Sequence, residues 1–407
     1  MIYIKKSKIR KKFLLFFILI TVLAFNFNSC RKNNTNIDPT PTPSGSINPT
    51  PTPSNSDNPN PEPTPTDNPN PNKDIEVFFN NAYKGLASEN SEVIKNDPKS
   101  PYKIMKNIIN DSKEKIDIAI YDLGDSDIAQ PFVNAYKRGV KIRVVTDTDN
   151  ANKQGLNLLK NAGIPIISDN RSPIMHNKFM IVDNNLVWTG SMNLTGSSLY
   201  EHNNVSLLYK SSELANYFQK EFNDMFEKKI FDGNNHGYTP STIIINQVPT
   251  KTFFSPKSNT KNAIVEELKK AKKSIKFMAF SFTDKDIEQV MIDKNNNNVK
   301  VQGIFDGCQL SSQYSTFNSL KNAKVEVYKD GNQALMHEKN IVIDDEIVIT
   351  GSFNFSANAD KNNNENCMFI KSPEIAKSFL EEFDKLKVAA QTNTNLPPYN
   401  SPGCGAE

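Results

Sequence analysis

At 407 residues the chain has room for two or three average domains and for a core that needs no staples. The formal charge is +3, but residues 1–29 carry Lys5, Lys6, Lys8, Arg10, Lys11 and Lys12 and no acid, so the remainder stands at −3, which excludes a global electrostatic pull on nucleic acid. Four cysteines without metal-ligand spacing exclude a zinc framework; Cys308 and Cys367 either pair in an exported protein or remain buried thiols.

The chain opens with a basic stretch to Lys12, an apolar run from Phe13 to Phe25 and a small residue before a cysteine, the three-part form of an export signal. That run is too short for a comfortable membrane span. Phe27-Asn28-Ser29-Cys30 resembles the lipobox of bacterial lipoproteins, with Ser29 as the small residue and Phe27 and Asn28 as departures. The resemblance implies a signal over 1–29, lipidation at Cys30 and a place in the cell envelope outside the cytoplasm; an ordinary signal peptide or an uncleaved anchor would place the rest of the chain outside as well. Residues 30–73, rich in Pro, Asn, Thr and Ser, cannot bury enough apolar surface to pack and read as a disordered tether.

Two copies of one pattern follow, over 75–235 and 240–390. Lys115 to Tyr121 and Lys273 to Phe280 read as strands, each followed by a helical segment and a second strand that ends in Asp147 or Asp306. Strands alternating with helix-length connections give an α/β domain. His176-Asn177-Lys178 with Asp183, Gly190-Ser191 and Asn193 then repeats 161 positions later as His337-Glu338-Lys339 with Asp344, Gly351-Ser352 and Asn354. Each motif enters a predicted hairpin, Phe179 to Val182 with Leu186 to Thr189, and Asn340 to Ile343 with Ile347 to Thr350. Residues two apart on a strand share a face, so each His stands beside its Lys. Residues 391–407 read as a disordered tail.

Both motifs resemble the paired H-x-K-x4-D and G-S-x-N signatures of the phospholipase D superfamily, and the resemblance spans roughly residues 75–390. It implies two duplicated α/β domains with mixed sheets flanked by helices, related by a pseudo-twofold axis that brings both motifs to one composite site, so that a monomer suffices. It also implies catalysis without metal or other cofactor: one histidine attacks phosphorus and the other protonates the leaving oxygen. A lysine two residues from each histidine would in any case repel a divalent ion. On this pattern His176, Lys178, Asp183, His337, Lys339 and Asp344 form the catalytic set, while Ser191, Asn193, Ser352 and Asn354 bind substrate phosphate. Asp183 and Asp344 fall at turns, which suggests a structural task. Glu365 fits an acid that orients a histidine and aligns with Asn203 in the first copy; a carboxylate favours imidazolium, so His176 reads as the nucleophile and His337 as the acid, with Glu201 as a substitute for the missing first-copy acid. Trp188 reads as core, and His202 and His236 as surface residues. The substrate is a phospholipid or nucleic-acid phosphodiester. The membrane anchor favours phospholipid hydrolysis with head-group release, ahead of an envelope-anchored nuclease, a phosphatidyl transferase similar to cardiolipin synthase, and a non-enzymatic surface-binding lipoprotein.

Overall fold

The computed structural model describes residues 74–233, 239–400 and Cys404. The expected signal, Cys30, the expected tether and His236 lie outside the described residues. The first copy runs β1 (Ile75–Phe79), α1 (Ala87–Asn96), α2 (Pro101–Asp111), β2 (Lys115–Ile120), α3 (Ser126–Lys137), β3 (Lys141–Thr146), α4 (Gln154–Asn161), β4 (Ile166–Ser168), β5 (Lys178–Val182), β6 (Leu186–Gly190), α5 (Gly196–Tyr200), β7 (Val205–Lys210) and α6 (Ser212–Phe226). The second runs β8 (Thr242–Ile245), β9 (Val248–Ser255), α7 (Thr260–Lys269), β10 (Ser274–Ala279), α8 (Lys285–Asn296), β11 (Lys300–Phe305), α9 (Phe317–Asn322), β12 (Glu326–Lys329), β13 (Lys339–Ile343), β14 (Ile347–Gly351), α10 (Ala357–Lys361), β15 (Glu365–Lys371) and α11 (Pro373–Thr392).

Each copy builds one mixed sheet. The first has the order β1-β7-β6-β5-β2-β3-β4 and the second β12-β11-β10-β13-β14-β15-β9-β8. Parallel pairing holds β2, β3 and β4, and again β10, β11 and β12, because helices α3 and α4, and α8 and α9, make the crossovers. The hairpins β5–β6 and β13–β14 pair antiparallel. Their turns place Asp183, Asn184, Asp344 and Asp345 at positive φ, which Asn and Asp tolerate better than other side chains.

One apolar cluster draws Met175, Phe179 and Phe218 from the first copy together with Met336, Val342 and Phe379 from the second, so the copies share a core. Separate clusters fill the outer layer of each. Trp188 is buried and stacks on Phe78 with ring centroids 5.7 Å apart, as a core residue does.

The C-terminal tail differs from expectation. Helix α11 continues to Thr392, and beyond it Asn393 Nδ2 donates to Gly331 O at 3.1 Å, Gln333 Nε2 donates to Pro397 O at 3.0 Å, and the Tyr399 hydroxyl donates to Glu201 at 2.9 Å. Cys404 forms a disulfide with Cys308 across 96 positions, and Cys367 is a buried thiol. Neither a Cys308–Cys367 bridge nor a disordered 393–400 segment is present.

Candidate active site

The two motifs meet through backbone bonds exchanged between the copies. His176 N–H donates to Asn364 O and Asn364 N–H to Ile174 O, while His337 N–H donates to Asn203 O and Asn203 N–H to Leu335 O, all between 2.9 and 3.0 Å. Each histidine therefore sits just before its hairpin strand, clamped to the other copy. Carboxylates anchor the same segments from the end of the parallel strands: Asp147 accepts the Met175 N–H and Asp306 the Met336 N–H, both at 2.9 Å. Their role is structural, as their place at strand ends suggests, and the separation from the anchored methionine is 28 positions in the first copy and 30 in the second.

The imidazoles are buried, and each takes its Nδ1 partner from the other copy. Glu365 faces His176, at 2.8 and 2.9 Å for its two oxygens, and the Asn204 side-chain oxygen faces His337 at 3.0 Å. Both partners are acceptors here, so each Nδ1 carries the proton and Nε2 is the lone-pair nitrogen of the neutral ring. This corrects two expectations. The residue equivalent to Glu365 is Asn204, not Asn203, and Glu365 orients His176 rather than the histidine of its own copy. Glu201 replaces nothing, since its carboxylate accepts from Tyr399.

The serines of G-S-x-N complete these pairs. Ser352 Oγ donates to Glu365 at 2.6 Å and Ser191 Oγ to Asn204 at 2.9 Å. A hydroxyl has one proton, so Ser191 and Ser352 hold the histidine partners and are not the phosphate donors expected of them. The preceding glycines are required by close approach: a Cβ on Gly190 would collide with Val205 O, and one on Gly351 with Asn366 O, at φ of +147° and +145°.

Lys178 and Lys339 are buried, and each ammonium donates to the carbonyl of its own histidine, at 3.0 and 2.9 Å. Each also lies over an aromatic ring that packs on the histidine, Tyr121 against His176 and Phe280 against His337. Asn193 lines a cavity that has His337 in its wall, and Asn354 lines a separate one.

Asp183 and Asp344, placed by the motif in the catalytic set, lie at the far ends of β5 and β13. Asp183 accepts backbone N–H groups from Lys113, Glu114 and Lys115, and Asp344 from Lys272, Lys273 and Ser274, at 2.7 to 3.0 Å. Partial burial works against their charge, but these three donors together hold each carboxyl below its ordinary range. They anchor the strand that carries the next element of the site and do not reach it. His202 was expected on the surface; it is buried, 6.1 Å from His337 between ring centroids.

Acid pairs behind the site differ between copies. In the first, Arg171 lies 3.4 Å from Asp169, next to Asp147 in charge interaction. In the second, Asn332 stands 161 positions after Arg171. Burial then pushes Asp330 up to about 7 and, with Asp330 beside it, raises Asp306 well above the ordinary range. Among the described residues no group of three or more His, Cys, Asp or Glu is arranged to hold a metal ion, and no helix is long and apolar enough to cross a membrane.

Comparison with known proteins agrees with this arrangement. The family described as "Cardiolipin synthase, PLD-like domain" matches twice, over residues 105–226 and 264–387. A protein named phospholipase D from Rickettsia typhi is 36% identical over 138 residues, 34% of this chain and 68% of that protein. One named mitochondrial cardiolipin hydrolase from Chlamydomonas reinhardtii is 31% identical over 133 residues, 33% of this chain and 60% of that protein. The phosphatidylserine synthase of Haemophilus influenzae Rd KW20 superposes with a TM-score of 0.56 at 14% identity, covering 72% of this chain and 84% of that one, and so shares the fold. With the family matched in both halves of a duplicated, cross-clamped site, the chain belongs to the phospholipase D-like family and is a phosphodiesterase of the phospholipase D type.

Proposed function

We infer that the protein is an exported, lipid-anchored phospholipase D that hydrolyses phospholipids, releasing the head group and leaving phosphatidic acid. The observation that carries the mechanism is the unequal pair of Nδ1 partners, Glu365 on His176 and Asn204 on His337. When Nε2 attacks phosphorus, the ring becomes cationic. A carboxylate on Nδ1–H stabilises that cation, as it does in other histidine–carboxylate pairs, so His176 is the nucleophile. His337, held by a neutral amide, is poised to give up its proton, so it is the acid. The assignment made from sequence is kept, on the opposite reason.

In the first step His337 enters as the imidazolium, with a proton on each ring nitrogen. An N–P bond forms at His176, the bond from phosphorus to the head-group oxygen breaks, that oxygen takes the Nε2 proton, and His337 is left neutral with its proton on Nδ1. Water then attacks phosphorus and gives a proton back to His337. The N–P bond breaks and phosphatidic acid leaves. Lys178 and Lys339 supply fixed positive charge to the phosphate oxygens, and Asn193 and Asn354 supply amide donors.

The phospholipid substrate is supported by the Rickettsia relative's name and by the lipoprotein-like N-terminus. Export is supported by the Cys308–Cys404 disulfide, since such bonds persist in oxidising compartments. The test is head-group release from phospholipid vesicles in EDTA, beside single- and double-stranded DNA, with His176→Ala and His337→Ala as controls. Release lost in both variants is the expected result; cleavage of DNA alone would make the protein a nuclease. Metabolic labelling with a radioactive fatty acid, in wild type and Cys30→Ala, tests the anchor, and label in the variant would refute it.

A further inference from the structure

Two cavities lie at places related by the duplication, the first with His337 in its wall, and they differ in charge. The first, about 370 Å3, has His337, Asp122, Lys153, Asn193 and His202 in its wall. The other, about 510 Å3, has Ser281 and Ser312, 159 positions after Asp122 and Lys153, and Asn354 and Asn363, 161 positions after Asn193 and His202. Charged groups therefore line the cavity at His337, and neutral hydroxyls and amides line its counterpart.

Asp122 is fixed there by the fold. It follows β2, its carbonyl accepts the Leu194 N–H at 2.9 Å, and Leu123 bridges to Leu194. Its side chain is 13% exposed, whereas that of Lys153, whose ammonium lies 3.5 Å away, is 48% exposed. A held carboxylate thus faces a cation on a flexible, solvated stem. Such a pair is weak, so its cation is exchangeable. The exchangeable group is itself a primary ammonium.

The geometry points to this cavity as the subsite for a head group that carries a primary ammonium, ethanolamine or serine. The inference rests on the reading above, in which His337 protonates the leaving oxygen. The head-group ammonium replaces that of Lys153 on Asp122. With serine, the displaced Lys153 turns to the head-group carboxylate. Phosphatidylglycerol, with a hydroxyl in place of the ammonium, brings no cation to replace that of Lys153 on Asp122.

The full-length protein is assayed on vesicles of phosphatidylethanolamine, phosphatidylserine and phosphatidylglycerol. Asp122→Asn is expected to lower kcat/KM about tenfold or more for the two amine lipids and by less than about twofold for phosphatidylglycerol. Lys153→Ala is expected to lower it for phosphatidylserine alone. An equal loss on all three lipids in Asp122→Asn, or no loss on any, would overturn the subsite. Calorimetric binding of glycerophosphoethanolamine and glycerophosphoglycerol to His176→Ala, with and without Asp122→Asn, separates this from the general reading. A wild type that releases no head group from any vesicle removes the phospholipase assignment, while Asp122-dependent preference for glycerophosphoethanolamine would still uphold the subsite. Binding without that preference would refute it.

Discussion

His176 and Glu365, 189 positions apart and on different copies of the repeat, meet at 2.8 Å. Each imidazole is thus half of a unit whose other half the second copy supplies. Removing the charge without the shape tests this: Glu365→Gln is expected to lower kcat about 100-fold or more, by analogy with loss of a positioned carboxylate behind a histidine. Mapping of the trapped phosphoenzyme at neutral to alkaline pH, where the acid-labile N–P bond survives, should place it on His176. A phosphoenzyme on His337 would reverse the two roles.

Asn204→Asp gives His337 the carboxylate that its equivalent already has. A carboxylate favours imidazolium, so the acid keeps its proton to higher pH and the alkaline limb of the kcat profile moves upward. The profile of Asn204→Asp against wild type decides, and a downward or absent shift contradicts the acid role of His337.

A leaving group that needs no proton bypasses the acid. His337→Ala is expected to lose about 100-fold to 10,000-fold on a phospholipid, as removal of a general acid does, and far less on bis(p-nitrophenyl) phosphate. His176→Ala should lose both activities. Equal losses for His337→Ala on both substrates would remove its assignment.

Behind the second motif, Glu338 and Glu382 are buried together, with the Tyr83 hydroxyl on Glu382. Burial first, and the neighbouring Glu382, raise Glu338 well above the ordinary range, and burial pushes Glu382 up to about 7. Carboxyls raised on folding stabilise fully below their unfolded value near 4.5, and this contribution is lost as pH rises through the folded value. The Tm of wild type is therefore expected to fall between pH 5 and pH 8, and Glu338→Gln to narrow that fall by supplying an uncharged donor. An unchanged pH dependence in the variant would show that the pair does not carry it.

Reducing the Cys308–Cys404 bond releases the tail from the second copy. Cysteine-to-serine replacement of both is expected to cost about 2–4 kcal/mol of stability, the usual range for such a loop. Denaturant melts of wild type and the double variant measure it. An unchanged midpoint would mean that Asn393, Gln333 and Tyr399 hold the tail without the bond.

The strands were legible because runs such as Lys115 to Ile120 and Lys300 to Phe305 combine β-branched residues with flanking turns. The duplication was legible because its matches fall at one offset. What failed was local. Asn203-Asn204 offers two neighbouring registers for Glu365, and only the constant offset of 161 selects Asn204, which β7 and β15 then fix against β6 and β14. No linear pattern says which histidine a glutamate faces when the copies exchange backbone bonds at Met175 and Met336. The hydroxyls of Ser191 and Ser352 were assigned to substrate for the same reason: their acceptors lie 13 positions downstream, on strands whose register the motif does not contain. Cys404 gave no sign of its partner, because only the folded tail brings it to Cys308.

The crossed clamp has a consequence for how such a site can change. A twofold dimer of one repeat presents two identical half-sites, and every substitution appears in both. With both repeats on one chain, Asn204 can replace a glutamate beside one imidazole while Glu365 keeps it beside the other, and Asp122 can face Ser281 across the axis. Fusion thus converts a symmetric catalyst into one with a direction, in which the two ends of a phosphodiester no longer meet equivalent surroundings.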